Sequence, residues 1–216
     1  MVRIICLLIG YAFGLFQTAF IYGKLHGIDI REHGSGNAGT TNSLRVLGKK
    51  AGIIVLLFDI IKCILAVVTV KLIFGETYKD MLPLLQIYAG AGAILGHNFP
   101  FYLKFKGGKG IATTAGLILS FPWPFVALAA PLFFITLFVT HYVSLGSLLV
   151  YTCFMTELVV YGQLGYFHMS QSLLIELYAV GAFLTAMAFF KHRENMKRLI
   201  RHEERKTFLV KKNKEA

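Results

Sequence analysis

The sequence has few charged residues and few cysteines. Only 15% of its 216 residues are charged, whereas 56% are hydrophobic, and its mean hydropathy is +0.64. A soluble domain of this length needs more polar surface, so a soluble globular fold is excluded. The three cysteines, Cys6, Cys63 and Cys153, stand singly in apolar segments. This excludes the close cysteine spacing of metal and redox motifs, and we expect neither a metal nor a cofactor.

Acidic residues are scarce: 11 stand against 22 basic residues, which gives a formal net charge of +11. Such a balance can indicate nucleic-acid binding. In a chain this hydrophobic it is more typical of loops that face the cytoplasm and anionic lipid headgroups. We therefore expect a membrane lipid partner and no nucleic-acid partner.

Several catalytic patterns are missing. No histidine is followed five residues later by an aspartate, and no Gly-x-Ser-x-Gly elbow surrounds Ser35. An ATP-binding loop needs a glycine at position 103 and a Ser or Thr at position 110, where the sequence has Leu103 and Gly110. These absences leave no clear protein nucleophile and no nucleotide loop.

Long apolar runs dominate what is present. Several reach the roughly 20 residues that cross a bilayer as a helix. The sequence predicts an all-α integral membrane protein, one domain over residues 1–216, with seven transmembrane helical segments. These segments lie at 4–22, 51–70, 82–101, 111–120, 125–140, 145–161 and 173–190.

The distribution of basic residues predicts the topology. Most of the 22 lie in three regions, 24–50, 104–109 and 191–214, which the positive-inside rule places in the cytoplasm. Residues 111–140 must then form two segments, broken at the prolines of 121–124, so that the C-terminus is cytoplasmic and the N-terminus is outside. Residues 210–216 are expected to form a flexible basic tail.

Residues 35–48 are predicted to form a loop that is rich in glycine, hydroxyl and amide side chains and contains an arginine near its end. Glycines leave backbone N–H groups accessible, hydroxyls and amides donate to phosphate oxygens, and Arg can bind a phosphate with two hydrogen bonds. The alternative is a turn whose polar side chains only cap the next helix. The candidate anion-binding residues are Ser35, Gly36, Asn37, Thr41, Asn42 and Arg45.

A second glycine-rich stretch, 106–114, follows His97 and precedes an apolar segment. Its glycines allow close backbone approach to an anion, two lysines supply charge, and a helix starting near Ile111 would add its N-terminal amides. His97 is either structural or catalytic. The candidate residues are Lys106, Gly107, Gly108, Lys109 and Gly110.

The third candidate group follows the last apolar segment. On a helix His192 and Asn195 share a face, with Arg198 one step further along. The alternative is an ordinary basic juxtamembrane helix that binds lipid headgroups. Within the second segment, Asp59 and Lys62 also share a face, either as a mutually satisfied pair or with Asp59 orienting a cation of the site. Two anion sites at the mouth of a hydrocarbon-facing bundle favour a substrate with a phosphate at one end and a fatty chain at the other.

These motifs together resemble the bacterial integral-membrane glycerol-3-phosphate acyltransferases that use acyl phosphate as donor. The pattern SGNxGxTNxxR matches at 35–45, GHxFP with FKGGKGxAT matches through 96–113, and RHxxNxxRLxxGxE matches at His192, Asn195, Arg198, Leu199 and Glu204. The sequence departs from the third pattern at Lys191 and His202, where the family has Arg and Gly.

The resemblance implies acyl transfer from acyl phosphate to the 1-hydroxyl of sn-glycerol 3-phosphate, giving lysophosphatidic acid and inorganic phosphate. It implies a multi-pass protein of the bacterial cytoplasmic (inner) membrane with its active site facing the cytoplasm, and a functional link to the soluble enzyme that produces acyl phosphate. The alternative function is a membrane transporter of a small phosphorylated anion. The residues expected to be catalytic are Ser35, Arg45, Lys106, Lys109, His192 and Asn195; those expected to bind substrate are Gly36, Asn37, Thr41, Asn42, Gly107, Gly108, Gly110 and Arg198.

Overall fold

The computed structural model describes residues 1–208, in which all regular secondary structure is helical. The prediction of an all-α protein is therefore confirmed, while the tail predicted at 210–216 lies outside the described residues. Short 3₁₀ turns lie at Ile30–Glu32, Lys79–Met81 and Phe101–Leu103. The α-helices of residues 1–208 are α1 (Val2–Gly14), α2 (Thr18–Leu25), α3 (Thr40–Phe74), α4 (Leu82–Asn98), α5 (Ile111–Ser120), α6 (Trp123–Thr140), α7 (Val143–Gln163), α8 (Gln171–Lys191) and α9 (Arg193–Ile200).

Helices α1 and α4 pack closely because both present glycine at four-residue spacing. A Cβ added to Gly10 or Gly14 of α1 would overlap the backbone of α4, and one added to Gly92 or Gly96 of α4 would overlap the backbone of α1. Small residues on facing sides let helix backbones approach within a membrane. This contact fixes the end of α4 that carries His97.

The first predicted segment, 4–22, lies within the apolar stretch Val2–Leu25, but the chain breaks between α1 and α2 at residues 15–17. The break is filled by polar groups from distant parts of the chain. Lys62 donates to the carbonyl oxygen of Phe16 at 2.8 Å, and the Gln17 amide donates to the carbonyl oxygens of Gly96 and His97. Freed backbone groups are thus satisfied inside the protein, as hydrocarbon requires.

The prediction of a loop over 35–48 is wrong from Thr40 onward, where α3 begins. Gly39 is extended and caps α3, which runs from Thr40 to Phe74 with a kink at Gly48, where φ is +87°. Glycine reaches this φ without the steric cost of a side chain. The kink gives the first two turns of α3 their own direction, and these turns carry the predicted residues Thr41, Asn42 and Arg45.

The predicted break at 121–124 is confirmed: α5 ends at Ser120 and α6 begins at Trp123. Five stretches of residues 1–208 are long and apolar enough to cross a membrane: Val2–Leu25, Thr40–Phe74, Trp123–Thr140, Val143–Gln163 and Gln171–Lys191. Helix α4 has 17 residues and α5 has 10. The count of seven segments and the orientation of the termini stay predictions.

Candidate active site

The two glycine-rich loops meet at the end of α4. The backbone N–H of Gly107 donates to the carbonyl oxygen of Asn98 at 3.2 Å, and that of Gly108 donates to the carbonyl oxygen of His97 at 3.1 Å. A Cβ added to Gly108 would overlap the His97 ring and lie 2.7 Å from the carbonyl oxygen of Ala38. Only glycine allows this approach, so Gly108 brings the second loop against the first.

The side chain of Asn42 organises the first loop. It is buried; its Oδ1 accepts from the backbone N–H of Ser35 at 2.8 Å, and its Nδ2 donates to the carbonyl oxygens of Ile30 and His33. Gly36, at φ +71°, then turns the chain. The amide of Asn42 is thus engaged with the loop backbone, and its predicted contact with substrate stays a prediction.

The carboxylate of Glu204 forms hydrogen bonds with polar side chains of α7 and α9. It accepts from Asn195 at 2.6 Å, from Arg198 at 2.7 Å and from the Ser144 hydroxyl at 2.9 Å. The other end of the Asn195 amide accepts a hydrogen bond from the ammonium of Lys109. We name this group, together with Arg45 and His192, the Glu204 cluster.

Arg45 joins the cluster through the segment that follows α9. Its guanidinium donates to the Thr207 hydroxyl at 2.9 Å and to the carbonyl oxygen of Arg205 at 3.3 Å. The backbone N–H of Thr207 in turn donates to the carbonyl oxygen of His141, between α6 and α7. The segment 201–208 therefore fixes the position of Arg45 relative to α7.

The imidazole of His192 is buried, and its Nδ1 lies 2.8 Å from the carbonyl oxygen of Ala188. A carbonyl only accepts, so Nδ1 carries the proton and Nε2 the lone pair. Burial, helped by the nearby charge of Lys109, lowers the pKa of His192 to about 4. His192 is therefore neutral at pH 7 and a weak base.

The ammonium of Lys109 lies close enough to His192 to affect its pKa. Burial lowers the pKa of Lys109 to about 8, against the opposing effect of the Glu204 carboxylate, and the neighbouring cations lower it further. Lys109 shares its surroundings with the cations Arg45, Arg198 and Lys191, and within residues 1–208 the carboxylate that opposes their effect on its pKa is that of Glu204. The cluster therefore carries excess positive charge in a partly buried setting, which suits a phosphate group.

A second polar cavity, which we name the open pocket, lies beside the first loop. Its volume is about 430 Å³, and Lys106, Gly36 and Gly107 contribute to its lining. Asp29 also lines it and binds Arg31 at 2.7 Å; that hydrogen bond is the main cause that lowers the pKa of Asp29 to about 2. The exposed ammonium of Lys106 has no hydrogen-bond partner within residues 1–208.

The structure thus places most of the predicted site residues in two groups. The Glu204 cluster unites Arg45, Lys109, His192, Asn195 and Arg198 from three distant stretches of sequence. Gly36, Lys106 and Gly107 belong to the open pocket, and exposed Ser35 is next to Gly36 in the chain.

The other predicted residues belong to neither group. Gly108 lies where the loops meet, and Gly110 precedes α5 at φ +81°. Thr41 lies in the first turn of α3, and the Asn37 side chain lies beside Gly39.

Some polar groups were missed by the sequence reasoning. Glu204 was matched as part of the third motif, but only the structure shows it binding three side chains. Four other buried side-chain oxygens near the loops have no hydrogen-bond partner within residues 1–208. They belong to Thr40, Ser43, Asn98 and Thr113. Unpartnered buried polar atoms often mark places where a polar ligand binds, and composition alone gives no signal for them.

Comparison with known proteins gives consistent results. The family model described as "Glycerol-3-phosphate acyltransferase" matches residues 4–202. A protein named glycerol-3-phosphate acyltransferase 2 from Bacillus cereus is 39% identical over 209 residues, covering 96% of each chain. A glycerol-3-phosphate acyltransferase from Mycoplasmopsis synoviae is 39% identical over 222 residues, covering 95% of this chain and 94% of its own.

Two crystal structures share the fold. Both are of PlsY (YgiH), described as an integral membrane glycerol 3-phosphate acyltransferase, in a glycerol 3-phosphate form and a lysophosphatidic acid form. Their TM-scores are 0.81 and 0.78, each at 26% identity and 96% coverage of both chains. With its apolar helices and these relatives, the protein is a membrane-embedded acyltransferase, and the chain belongs to the glycerol-3-phosphate acyltransferase family.

Proposed function

We propose that the protein transfers a fatty acyl group from acyl phosphate to the 1-hydroxyl of sn-glycerol 3-phosphate. The products are lysophosphatidic acid and inorganic phosphate. The observation that carries this proposal is the Glu204 cluster, in which Arg45, Lys109 and Arg198 surround a single carboxylate. The two related crystal structures, described as glycerol 3-phosphate and lysophosphatidic acid forms, support the same substrate and product.

Both substrates carry a phosphate, and two polar regions are available for them. We assign glycerol 3-phosphate to Arg45, His192, Asn195 and Arg198. We assign acyl phosphate to Lys106, Lys109, the Ser35 hydroxyl and the accessible backbone N–H groups of the two loops, with Gly36, Asn37, Thr41, Asn42, Gly107, Gly108 and Gly110 shaping that site. The hydrogen bond between Lys109 and Asn195 supports a position for Lys109 between the two phosphates.

An apolar groove suits the acyl chain. It has a volume of about 320 Å³ and lies between α1 and α3, with Phe13, Phe58 and Leu65 in its lining. Lys62 closes one part of it and contacts His97, which packs against Gly108 of the second loop. A groove that is lined by apolar side chains and linked to the second loop through Lys62 and His97 fits a substrate with an acyl chain at one end and a phosphate at the other.

The reaction needs positioning and charge stabilisation more than a protein nucleophile. The hydroxyl oxygen of glycerol 3-phosphate attacks the acyl carbonyl carbon, the new ester C–O bond forms, and the bond from that carbon to the phosphate oxygen breaks. Inorganic phosphate leaves with the electron pair of that bond. Ser35 Oγ forms no hydrogen bond with a histidine in residues 1–208, so the described chain offers it no activating base. Cations held near the leaving phosphate stabilise the charge that develops there.

The hydroxyl proton passes to a phosphate oxygen of a substrate, since a phosphate monoester with a second pKa of about 6 is mostly dianionic at pH 7 and can accept a proton. His192 is the competing base, and its pKa of about 4 makes it a poor one. We expect His192→Ala to reduce turnover about tenfold through lost positioning while the alkaline limb of the pH–rate profile stays in place. A limb that disappears with the imidazole would restore His192 as the base.

The membrane arrangement is part of the proposal. Seven helical segments cross or enter the bacterial cytoplasmic (inner) membrane, with the N-terminus outside and the C-terminus and both phosphate sites in the cytoplasm. The basic residues of the loops and of α9 support this orientation. A cytoplasmic site also has access to glycerol 3-phosphate and to the soluble enzyme that produces acyl phosphate.

A donor comparison tests the function. Purified protein in lipid vesicles is supplied with glycerol 3-phosphate and either palmitoyl phosphate, palmitoyl-CoA or palmitoyl-acyl carrier protein. We expect lysophosphatidic acid and phosphate in equal amounts with palmitoyl phosphate alone. Turnover with a thioester in place of acyl phosphate would disprove the proposed donor. Uptake of glycerol 3-phosphate into the vesicles without turnover would instead support the transporter.

A further inference from the structure

Lys62 is a buried cation in the middle of α3, yet each of its N–H groups has its own acceptor. Its Nζ lies 2.7 Å from Asp59 Oδ1, 2.8 Å from the carbonyl oxygen of Phe16 and 2.9 Å from His97 Nδ1. An ammonium group has three N–H donors and no acceptor. Three donors therefore meet three acceptors, and the buried charge is fully hydrogen-bonded.

This arrangement decides the tautomer of His97. Because the ammonium of Lys62 can only donate, the Nδ1 atom of His97 must supply the lone pair. The ring proton of the neutral imidazole then lies on Nε2. A lysine more than thirty positions away in the chain thus determines which nitrogen of His97 is a donor.

The Nε2 side of His97 faces the second glycine-rich loop. A Cβ added to Gly108 would overlap Nε2, so this atom lies against the backbone of the loop. Within residues 1–208 Nε2 has no hydrogen-bond partner, although the residue is only 3% exposed. An N–H donor that belongs to a buried side chain and has no partner in the described chain, at a loop of this kind, is suited to an anionic oxygen.

We propose that His97 binds substrate and that Lys62 positions it: Lys62 holds the Nε2–H tautomer, and that N–H donates to a phosphate oxygen of the substrate bound by the loop 106–110. This inference rests on one part of the proposed function, the binding of a phosphorylated substrate at this loop, and not on the choice of acyl donor. It assigns the buried pair of Asp59 and Lys62 a part in substrate binding.

The network around Lys62 is built to hold this geometry. Asp59 Oδ1 also accepts from the Thr18 hydroxyl at 3.3 Å, at the start of α2. Gln17 donates to the carbonyl oxygen of His97 at 3.0 Å. The break between α1 and α2 therefore supplies hydrogen bonds to the pair of Asp59 and Lys62 and to the backbone of His97.

The first test reads the tautomer directly. Protein labelled with ¹⁵N-histidine is studied by NMR in lipid, and the His97 signals are assigned by their loss in His97→Gln. The exposed His168 serves as control, because His168→Gln removes another histidine without touching the loops. We expect the wild-type protein to show a protonated Nε2 and an unprotonated Nδ1, with a change in the Nε2 signal when inorganic phosphate is added. The opposite tautomer, or no change with phosphate, would overturn the proposal.

The second test measures binding of inorganic phosphate and sn-glycerol 3-phosphate by calorimetry, with thermal unfolding as the check on folding. His97→Phe should weaken binding of at least one ligand about tenfold, whereas His97→Gln, which keeps an N–H donor, should weaken it less than about threefold. The double variant Asp59→Asn/Lys62→Met removes both buried charges together and should weaken binding as well. It should also mix the His97 tautomers.

Wild-type affinity in folded His97→Phe would show that the network only supports the fold, and would overturn the proposal. A fall in thermal stability with unchanged affinity of the folded fraction would do the same. Neither binding nor NMR uses an acyl donor. Failure of the donor comparison would therefore leave this inference standing, and its own failure would leave the choice of donor untouched.

Discussion

The Glu204 cluster and the open pocket both take a lysine from the same loop, but they hold it differently. Lys109 is partly buried, hydrogen-bonded to Asn195 and surrounded by cations that share one carboxylate. Lys106 is exposed beside a pocket whose Arg31 is already neutralised by Asp29. Charge in a partly buried, preorganised group acts more strongly on a ligand than charge in solvent. The cluster should therefore contribute more to binding and catalysis than the pocket.

The strongest test of this difference exchanges the two lysines in turn for methionine. We expect Lys109→Met to lower kcat/KM about a hundredfold or more, since it removes a partly buried charge-assisted hydrogen bond beside the proposed phosphate sites. Lys106→Met, the matched control on the same loop, should lower it about tenfold or less, because solvent screens an exposed ammonium. Steady-state kinetics with both substrates varied gives the comparison. Equal losses in the two variants would remove the distinction between cluster and pocket.

From the sequence alone, Lys106 and Lys109 cannot be distinguished, because both lie in the same glycine-rich stretch. The motifs of the sequence identify nearly all residues of the cluster, and its apolar runs and prolines predict most of the helices. It does not show that Glu204 gathers Asn195 and Arg198, because that contact depends on how the chain turns after α9.

The break in the first apolar segment was missed for a similar reason. Residues 15–17 are uncharged, and nothing in their local sequence predicts a helix break. The polar groups that hydrogen-bond with these residues come from Lys62 in α3 and from the end of α4. Local propensity can be read from neighbouring residues, whereas a polar partner supplied from tens of residues away cannot. The tautomer of His97 depends on the same distant lysine.

The next largest effect tests the first loop beside the open pocket. Ser35→Ala should lower kcat/KM at least about tenfold, the size of one or two hydrogen bonds to an anion. The backbone N–H of Ser35, which holds the loop to Asn42, is unchanged by the substitution, so the loop should keep its shape. Ser35→Thr, which keeps the hydroxyl, is the control. Near-normal activity of Ser35→Ala would exclude its hydroxyl from the site and leave the cluster as the main phosphate-binding region.

The pH dependence separates the two lysines by a different measurement. Because burial lowers the pKa of Lys109 to about 8, this cation is present below pH 8 and is lost as the pH rises above it. The profile of kcat/KM reports the free enzyme, so it should fall above about pH 8. The phosphate groups of the substrates, whose second pKa is about 6, are already ionised there and do not cause the fall.

Replacement by arginine checks that assignment. In Lys109→Arg the guanidinium stays charged throughout the working range, and the alkaline limb should move to above about pH 10, whatever the absolute rate. Lys106→Arg should leave the limb near pH 8. A limb that stays near pH 8 in Lys109→Arg would show that another group titrates there, and the cluster would lose its distinctive electrostatic behaviour.

The smallest expected effect concerns how Arg45 is held. Thr207→Val removes the hydroxyl that accepts from the Arg45 guanidinium at 2.9 Å, while the carbonyl oxygen of Arg205 still accepts at 3.3 Å. We expect KM for glycerol 3-phosphate to rise about threefold with little change in kcat, as for loss of one neutral partner that orients a binding group. Thr207→Ser, which keeps the hydroxyl, should behave as wild type. A lower KM in Thr207→Val would mean instead that Thr207 competes with the substrate for Arg45, so that the segment 201–208 restrains the cluster and does not complete it.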